Sequence, residues 1–193
     1  MLKEVIGEVT LDPLHKLKAS NGLSVFQMSR NKTTLIVFLR HLGCIFCRET
    51  LKHVLECREA IEQKGIQILL VHQSESKYAS QIFDSYGLND MEHLSDRDMH
   101  LYRIFGLKKG KVKQLLGLEV WKGGLRAMLR KKVIFGKRQG DVYQLSGFFL
   151  YRNGKIQRKY SSRHAADIPD LLKFTEFEEV QNFRLSKSSV LRN

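Results

Sequence analysis

Two short apolar runs stand out in the hydrophobic pattern of the chain, at residues 35–39 and 66–71. Each is rich in aliphatic side chains without alternating polar positions, which is typical of strands buried on both faces of a sheet. Between them, residues 48–64 place apolar side chains at three- and four-residue spacing, and Gly65 ends the series. We therefore predict a strand, an amphipathic helix and a second strand, which is the order of a parallel crossover unit.

The same pattern continues beyond the second strand. Residues 76–85 read as a helix, and residues 93–95 as a short strand that ends at Asp96, a good helix N-cap. A further short helix is predicted over residues 97–105, capped by Gly106. The resulting βαβαβα order predicts an α/β protein with a parallel or mixed sheet.

Two strands and a final helix are expected in the carboxy-terminal half. Residues 144–151 and 155–160 flank an Asn-Gly pair at 153–154, which is a strong hairpin signal. The final helix is predicted over residues 165–174. Residues 115–129 have a helical pattern of their own and would form an insertion ahead of the hairpin.

The amino-terminal residues are predicted to form a hairpin at the edge of the sheet. The Asn-Gly pair at 21–22 indicates a turn, and residues 23–28 read as the strand that follows it. A chain of 193 residues suits one domain, so we expect a single domain over residues 1–193. Its core would run from about 20 to 174, and residues 175–193 would form a carboxy-terminal tail.

The composition fits a folded protein outside the membrane. Hydrophobic residues make up 42% of the chain and aromatic residues 9%, which is enough to fill a core. No apolar run approaches the roughly 18 residues that a membrane span needs. The first residues lack the basic and apolar regions of a signal peptide, so we expect a cytoplasmic protein.

A net charge of +13 raises the question of an anionic partner such as nucleic acid. The basic residues are dispersed, apart from denser patches at 108–113 and 126–138. No helix-turn-helix, zinc-finger or RNA-binding signature accompanies them. A solvated basic surface is therefore favoured, and a nucleic-acid-associated protein or a non-enzymatic redox sensor stays as the alternative.

The chemistry of the chain centres on Cys44 and Cys47, which follow the first strand and begin the first long helix. The free N–H groups and positive dipole end of a helix N-terminus favour a thiolate. Two intervening residues leave the thiols near enough to bridge, so one can attack a substrate and the other can resolve the product. We expect Cys47 to face the core, Cys44 to be exposed, and three neighbours to support the thiolate: Arg40, His41 and Arg48.

Other roles for the cysteines have less support from the sequence. Tetrahedral zinc needs four ligands, and the chain has no second Cys-x-x-Cys, with His41 at best a third ligand. Cys57 lies ten residues after Cys47, about 15 Å along a helix, which is too far for a disulfide. Cys57 is therefore expected to fill the core. We predict a redox-active disulfide between Cys44 and Cys47, with no metal and no cofactor.

Four segments of the chain resemble the peroxiredoxin-like branch of the AhpC/TSA group, which includes the family of prostamide/prostaglandin F synthase. The most specific is VFLRHLGCIFCRE at residues 37–49, and three more support it at residues 93–107, 140–156 and 161–172. The resemblance implies a thioredoxin-like α/β fold. Combined with the pattern above, we expect a central mixed sheet flanked by helices, with an N-terminal hairpin and a helical insertion.

The resemblance also implies a thiol oxidoreductase with peroxidase or antioxidant activity. A peroxide or another small oxidised substrate would be reduced, and a reductant of the thioredoxin or glutathione type would restore the thiols. Ordinary peroxiredoxins carry Thr-x-x-Cys here, so Cys47 matches their peroxidatic cysteine. By analogy with thioredoxin, Cys44 would be the nucleophile instead. Both assignments remain open at this stage.

The chain departs from these relatives at several positions. His41 stands where peroxiredoxins have a proline, and no arginine occurs at 145–147, where their later strand begins. The cis-proline of thioredoxins has no counterpart, since the chain's prolines are Pro13 and Pro169.

Two further expectations concern the surroundings of the pair. The segment around Trp121 is predicted to cover the site. The resemblance to the synthase branch implies a further alternative, reduction of a lipid endoperoxide, which would need an apolar channel near Ile45 and Phe46.

Overall fold

A five-stranded mixed sheet forms the centre of the protein. The computed structural model describes residues 12–111 and 139–176 of the chain. The strands lie in the order β3-β2-β1-β4-β5. Their bounds are Thr33–Phe38 for β1, Ile66–His72 for β2, His93–Ser95 for β3, Gly147–Arg152 for β4 and Lys155–Ser161 for β5.

Helices cover both faces of this sheet. Their bounds are Asp12–Lys16 for α1, Val25–Asn31 for α2, Ile45–Gln63 for α3, Ser76–Asp84 for α4, His100–Ile104 for α5 and Leu171–Phe174 for α6. Buried residues of α3, α4 and α6 form one apolar cluster with one face of the sheet. Those of α1, α2 and α5 form a second cluster on the opposite face.

The pairing of the strands confirms the predicted mixed sheet. β1 pairs in parallel with β2, and β2 with β3, whereas β4 runs antiparallel to both β1 and β5. β1 is the central strand, and five of its six residues are buried. A strand with helices on both sides must be apolar on both faces, which explains the continuous hydrophobic run in the sequence.

Most predicted elements are present. α3 begins at Ile45, three residues earlier than the pattern indicated, and ends before Gly65, which adopts a φ of 74°. The β4–β5 hairpin turns at Asn153 and Gly154, whose φ angles are 48° and 76°. Two consecutive positive φ angles are what a tight two-residue hairpin requires, so the Asn-Gly signal was correct.

The prediction of a strand at residues 23–28 is wrong. This segment forms α2, because Ser24 accepts a hydrogen bond from the Gln27 N–H while the Gln27 side chain accepts one from the Ser24 N–H. This reciprocal capping box satisfies two N–H groups at the helix start. The expected N-terminal hairpin is reduced to one bridge between Lys18 and Ser24 around the turn at Gly22.

Two helices are shorter than predicted. α5 begins at His100 rather than Arg97, because the Asp96 carboxylate accepts the N–H groups of His100 and Leu101 from outside the helix. Asp96 therefore stabilises the helix start without being its N-cap residue.

The final helix, α6, begins at Leu171 rather than Ala165. The carboxylate of Asp167 accepts the backbone N–H of Arg163 and thereby fixes a turn. Asp170 caps the helix by accepting the N–H groups of Leu172 and Lys173.

The predicted helix at 115–129, Trp121 and nearly all of the 175–193 tail lie outside the described residues. The assignment of one domain therefore stays a prediction. Within residues 12–111 and 139–176, no helix has the length and apolar character needed to cross a membrane.

Candidate active site

The two cysteines lie where the central strand passes into α3. Cys44 is the N-cap residue of α3, and Cys47 lies in the first turn. The connecting turn is held by two bonds: the Cys44 N–H donates to the His41 carbonyl at 2.8 Å, and the Arg48 Nε donates to the Leu42 carbonyl at 3.1 Å. The strand and the turn therefore fix both thiols at the N-terminal end of a 19-residue helix.

Both thiols are buried. Cys47 is 1% exposed, which confirms that it faces the core. Cys44 is 6% exposed, so the prediction that it lies at an exposed tip is wrong. The physical reason is that the guanidinium group of Arg40 lies against its sulfur and is itself packed beneath the backbone of residues 142–144.

Arg40 contacts both sulfur atoms. Its Nη1 donates to the Cys44 Sγ at 3.0 Å, and its backbone N–H donates to the Cys47 Sγ at 3.2 Å. Its Nε and Nη2 donate to the carbonyls of Gln144 and Val142 at 3.0 and 2.7 Å. A planar guanidinium that serves three acceptors at once is held in one orientation.

The surroundings give the two thiols opposite pKa shifts. A hydrogen bond from the Cys47 side chain, the charge of Arg40 and the N–H groups of the first turn of α3 together lower the pKa of Cys44 to about 6, although burial opposes them. Burial, followed by the hydrogen bond to Cys44, raises the pKa of Cys47 well above its ordinary value. Of the two thiols, Cys44 is thus the one whose surroundings favour the thiolate, and Cys47 is the one whose surroundings favour the protonated form.

The other two predicted supporting residues contribute through the turn. His41 is buried beside the pair and accepts the Cys44 N–H through its carbonyl. Arg48 is also buried, and its Nε binds the Leu42 carbonyl. The predicted residues are thus brought together, with Arg40 as the one whose side chain donates to a thiol.

Two polar side chains that the sequence pattern did not indicate complete the site. Gln73 donates its Nε2 to the Arg40 carbonyl at 3.2 Å. The buried hydroxyl of Tyr102 donates to the Leu39 and Val71 carbonyls, at the ends of β1 and β2. Gln73 directly follows β2, and the rule that functional groups gather at the carboxyl ends of parallel strands would have indicated it.

Residues 139–145 form a covering loop over Arg40. The Asp141 N–H donates to the Gln73 Oε1 at 2.6 Å, and the Asp141 carboxylate pairs with Lys109 at 2.7 Å. Gly140 has a φ of 93°, and a Cβ there would lie 2.6 Å from the Gln73 Cβ. The covering loop therefore approaches Gln73 closely enough that only glycine fits.

All three cysteines are free thiols in this structure. Cys57 is buried in α3, with its Sγ 3.8 Å from the His53 Nδ1, as expected for a core residue. Among the described residues, no group of three or more His, Cys, Asp or Glu side chains has the arrangement of a metal site.

A mixed sheet between helices, with Cys-x-x-Cys at the start of the helix after the central strand, defines a thioredoxin-fold protein. Solved structures share this fold at low identity. A peroxiredoxin 6 mutant from Arenicola marina superposes with a TM-score of 0.58 at 8% identity, covering 84% of this chain and 67% of that one. A peroxiredoxin Q mutant from Xylella fastidiosa gives 0.52 at 16% identity, with 85% and 87% covered. A secreted disulfide oxidoreductase from Mycobacterium tuberculosis gives 0.52 at 12% identity, with 86% and 98% covered.

The chain belongs to the AhpC/TSA antioxidant enzyme family, whose sequence profile matches residues 55–165. This match covers more than half of the chain and begins after both cysteines, so the pair itself lies outside it. A curated relative, the chloroplastic thioredoxin-like protein AAED1 of Arabidopsis thaliana, is 24% identical over 70 residues. That alignment covers 34% of this chain and 28% of the relative, so it spans less than a third of the relative's length.

Proposed function

We propose that the protein is a thiol–disulfide oxidoreductase that reduces peroxides through Cys44 and Cys47. The observation that carries this proposal is the asymmetry of the pair. The Arg40 guanidinium donates to the Cys44 sulfur and favours its thiolate, whereas burial raises the pKa of Cys47 and favours its protonated form. Family membership and the thioredoxin fold support the same chemistry.

The proposed cycle begins with attack of the Cys44 thiolate on the terminal oxygen of a hydroperoxide. The O–O bond breaks, the alkoxide takes a proton from solvent water to leave as the alcohol, and Cys44 becomes a sulfenic acid. The sulfur of Cys47 then attacks Cys44, water leaves with the sulfenic oxygen and the Cys47 proton, and a disulfide forms. A dithiol or two glutathione molecules supply the two electrons that restore both thiols.

The protonation states favour Cys44 as the first nucleophile. This follows the thioredoxin analogy rather than the peroxiredoxin alignment, in which Cys47 would attack. The raised pKa of Cys47 suits a resolving thiol, because it keeps its proton until Cys44 has been oxidised. Arg40 occupies the electrostatic role that an arginine opening the later strand would otherwise have.

A peroxide-consumption assay on matched serine variants tests this assignment. Cys44→Ser is expected to abolish turnover, and Cys47→Ser to allow one oxidation per chain and then stop at the sulfenic acid. Cys57→Ser is the control, since it removes a buried thiol of the same helix and should retain the wild-type rate. Equal rates in all four proteins would remove the catalytic claim.

The alternative of a lipid endoperoxide substrate gains no support from the described residues. That reaction would need an apolar channel beside Ile45 and Phe46. These side chains are only 2% and 5% exposed and pack into the apolar cluster between α3 and the sheet. A small peroxide, with a thioredoxin- or glutathione-type reductant in the cytoplasm, therefore remains our proposal for substrate, partner and location.

A further inference from the structure

The two edges of the sheet are different. At the β3 edge, the His93 N–H donates to the Ser20 hydroxyl at 3.1 Å, and the His93 carbonyl accepts the Ser20 N–H at 2.9 Å. At the opposite edge, β5 pairs with β4 alone among the described strands, and six of its seven residues are exposed. The β3 edge is therefore covered, whereas the β5 edge is open to solvent.

The hydrogen-bond pattern shows which backbone groups of β5 point outward. The Ser162 N–H donates to the Ser146 carbonyl at 3.1 Å, at the end of the ladder between β4 and β5. Bonded and non-bonded pairs alternate in an antiparallel ladder, so every second residue back from Ser162 bonds to β4. The residues between them, Lys159 and Ser161, direct their N–H and C=O groups away from the sheet. A further strand can pair with such groups.

The side chains of β5 make this edge cationic. Lys155 and Lys159 are exposed, and within residues 12–111 and 139–176 neither of them takes part in an ion pair. The third cation, Arg158, donates to carbonyls of α6, and β5 contains no acidic residue. A second copy of the chain is a poor partner, because like charges across a ladder are destabilising. An acidic strand would be attracted instead.

Ile156 adds an apolar contact to the same edge. It stands opposite Tyr151 in the ladder, and Lys159 stands opposite Phe149. Both aromatic residues belong to the cluster with α2 and α5, so Ile156 and Lys159 lie on the same face of the sheet. Ile156 is 46% exposed beside this cluster. A strand paired with β5 would cover Ile156 and reach Lys159 from one face.

We propose that β5 is a docking strand, to which an extended acidic segment of a partner protein adds as a further strand of the sheet. Backbone bonds to Lys159 and Ser161 hold the segment, and its carboxylates pair with the lysines. This interaction goes beyond the proposed redox function. β4 separates β5 from β1, the strand that leads to the cysteines, so docking leaves the redox pair uncovered.

The open backbone favours a polypeptide over a nucleic acid. Phosphates can pair with lysines, but they cannot both donate to and accept from the N–H and C=O groups of an edge strand. An extended polypeptide offers donors and acceptors at the matching spacing. The acidic partner is therefore a protein segment.

Fluorescence anisotropy with labelled peptides tests the proposal on the full chain. The probe is a peptide of the same length as β5, in which glutamate alternates with valine. One control peptide has lysine in place of glutamate. A second control keeps the glutamates but has proline in place of valine, so it lacks half of the N–H groups and resists the extended pairing. Only the glutamate–valine peptide is expected to bind saturably.

A charge reversal in the protein tests the role of the lysines. Lys159→Glu should weaken binding of the glutamate–valine peptide by about fivefold, because an attractive cross-strand pair becomes a repulsive one. Lys77→Glu is the matched control, since Lys77 is an exposed lysine of α4. It makes the same change in net charge away from β5 and should bind the peptide as the wild type does.

A proline in the protein tests the backbone bonds. Ser161→Pro removes an N–H that points away from β4 and leaves the charge unchanged, and edge strands tolerate proline at such positions. It should weaken binding by about fivefold, the effect of one lost hydrogen bond. Ser161→Ala keeps the N–H and should bind as the wild type does. Urea midpoints of the two variants show whether β5 is intact, and the proline-containing peptide tests the same bonds in the unaltered protein.

Four results would overturn the proposal. Equal affinities of Ser161→Pro and Ser161→Ala would indicate a charged surface without strand addition, and so would equal binding of the lysine and glutamate peptides. Duplex DNA that displaces the peptide at a lower concentration than unlabelled peptide does would assign the edge to nucleic acid. A dimer in sedimentation velocity that Ser161→Pro abolishes would assign it to a second copy.

Discussion

At the scale of single residues, the two thiols have the same chemical structure and different surroundings. The Cys44 sulfur accepts a hydrogen bond from the Arg40 guanidinium, whereas Cys47 is more deeply buried and accepts one from the Arg40 backbone N–H. The pKa of Cys44 is therefore lowered to about 6 and that of Cys47 is raised. The proposed roles of Cys44 as nucleophile and Cys47 as resolving thiol follow from these differences.

This asymmetry predicts the pH dependence of alkylation. The thiolate is the reactive form, so the rate at Cys44 should rise with pH, reach half its maximum near pH 6 and level off above that. A cysteine peptide is the control and should reach half its maximum near its ordinary pKa of about 8.5. The measurement is the iodoacetamide rate by mass spectrometry, in Cys47→Ser and wild type. A wild-type profile that matches the peptide would contradict the assignment.

The Cys47→Ser profile reports on one contact. Serine at position 47 keeps a hydrogen-bond donor in place of the thiol, although one of different strength. Because Arg40 still donates to the Cys44 sulfur, the pH midpoint of Cys44 alkylation should stay below that of the cysteine peptide. In Arg40→Met the midpoint should move toward the peptide value, since the cationic donor is lost.

The exposure of Cys44 shows what the sequence leaves undetermined at this scale. The cysteine spacing and the preceding strand predicted its position at the start of α3. Its burial depends on Arg40, which in turn depends on carbonyls at Val142 and Gln144. Such contacts between distant parts of the chain leave no periodic signal.

At the scale of elements, the start of α2 is controlled by its capping box. Ser24→Ala removes the acceptor for the Gln27 N–H and should lower the free energy of unfolding by about 1 kcal/mol. Urea denaturation measures the change. Ser76→Ala is the control, because Ser76 is an exposed first residue of α4, and it should alter stability by less than about 0.5 kcal/mol. Equal losses in the two variants would show that the cap does not control α2.

A substitution in the central strand should lower the free energy of unfolding by more than the loss of the cap does. Ile36 is fully buried in β1 against the cluster with α2 and α5, so Ile36→Ala should cost about 2–5 kcal/mol. Ile156→Ala makes the same chemical change in β5, where the side chain is 46% exposed, and should cost far less. The two urea midpoints should differ clearly, and coincident midpoints would contradict the position of β1 at the centre of the sheet.

These two elements also mark how far the sequence can predict the fold. β1 was predictable because a buried central strand has a continuous apolar run. The segment at 23–28 has the β-branched and aromatic content of a strand, yet its Ser-x-x-Gln signature was present and outweighs that content. Local capping determined the structure where composition suggested the alternative.

At the scale of the whole molecule, the candidate active site does not explain the net charge of +13. Arg30, Lys32 and Lys155 are exposed, and the hairpin turn at Asn153 bonds to Ser29 of α2. These cations therefore lie on adjoining elements, at the end of the sheet away from the cysteines.

The predicted solvated surface has its own test. Binding to duplex DNA of unrelated sequence should be weak at about 0.15 M salt and should depend only shallowly on salt, because dispersed basic residues neutralise few phosphates at once. Fluorescence anisotropy over a salt series measures this. Binding at this salt with a slope that reports several neutralised phosphates would favour the nucleic-acid-associated alternative over a solvated surface.

The central claim is that Cys44 and Cys47 form one redox unit. Mass spectrometry after one equivalent of hydrogen peroxide tests it most directly, with peptide mapping to locate the change. The account predicts loss of two hydrogens and a peptide in which Cys44 is linked to Cys47, with Cys57 unmodified. Oxygen that accumulates on Cys44 or Cys47 without a bridge, or a protein left unchanged, would contradict it.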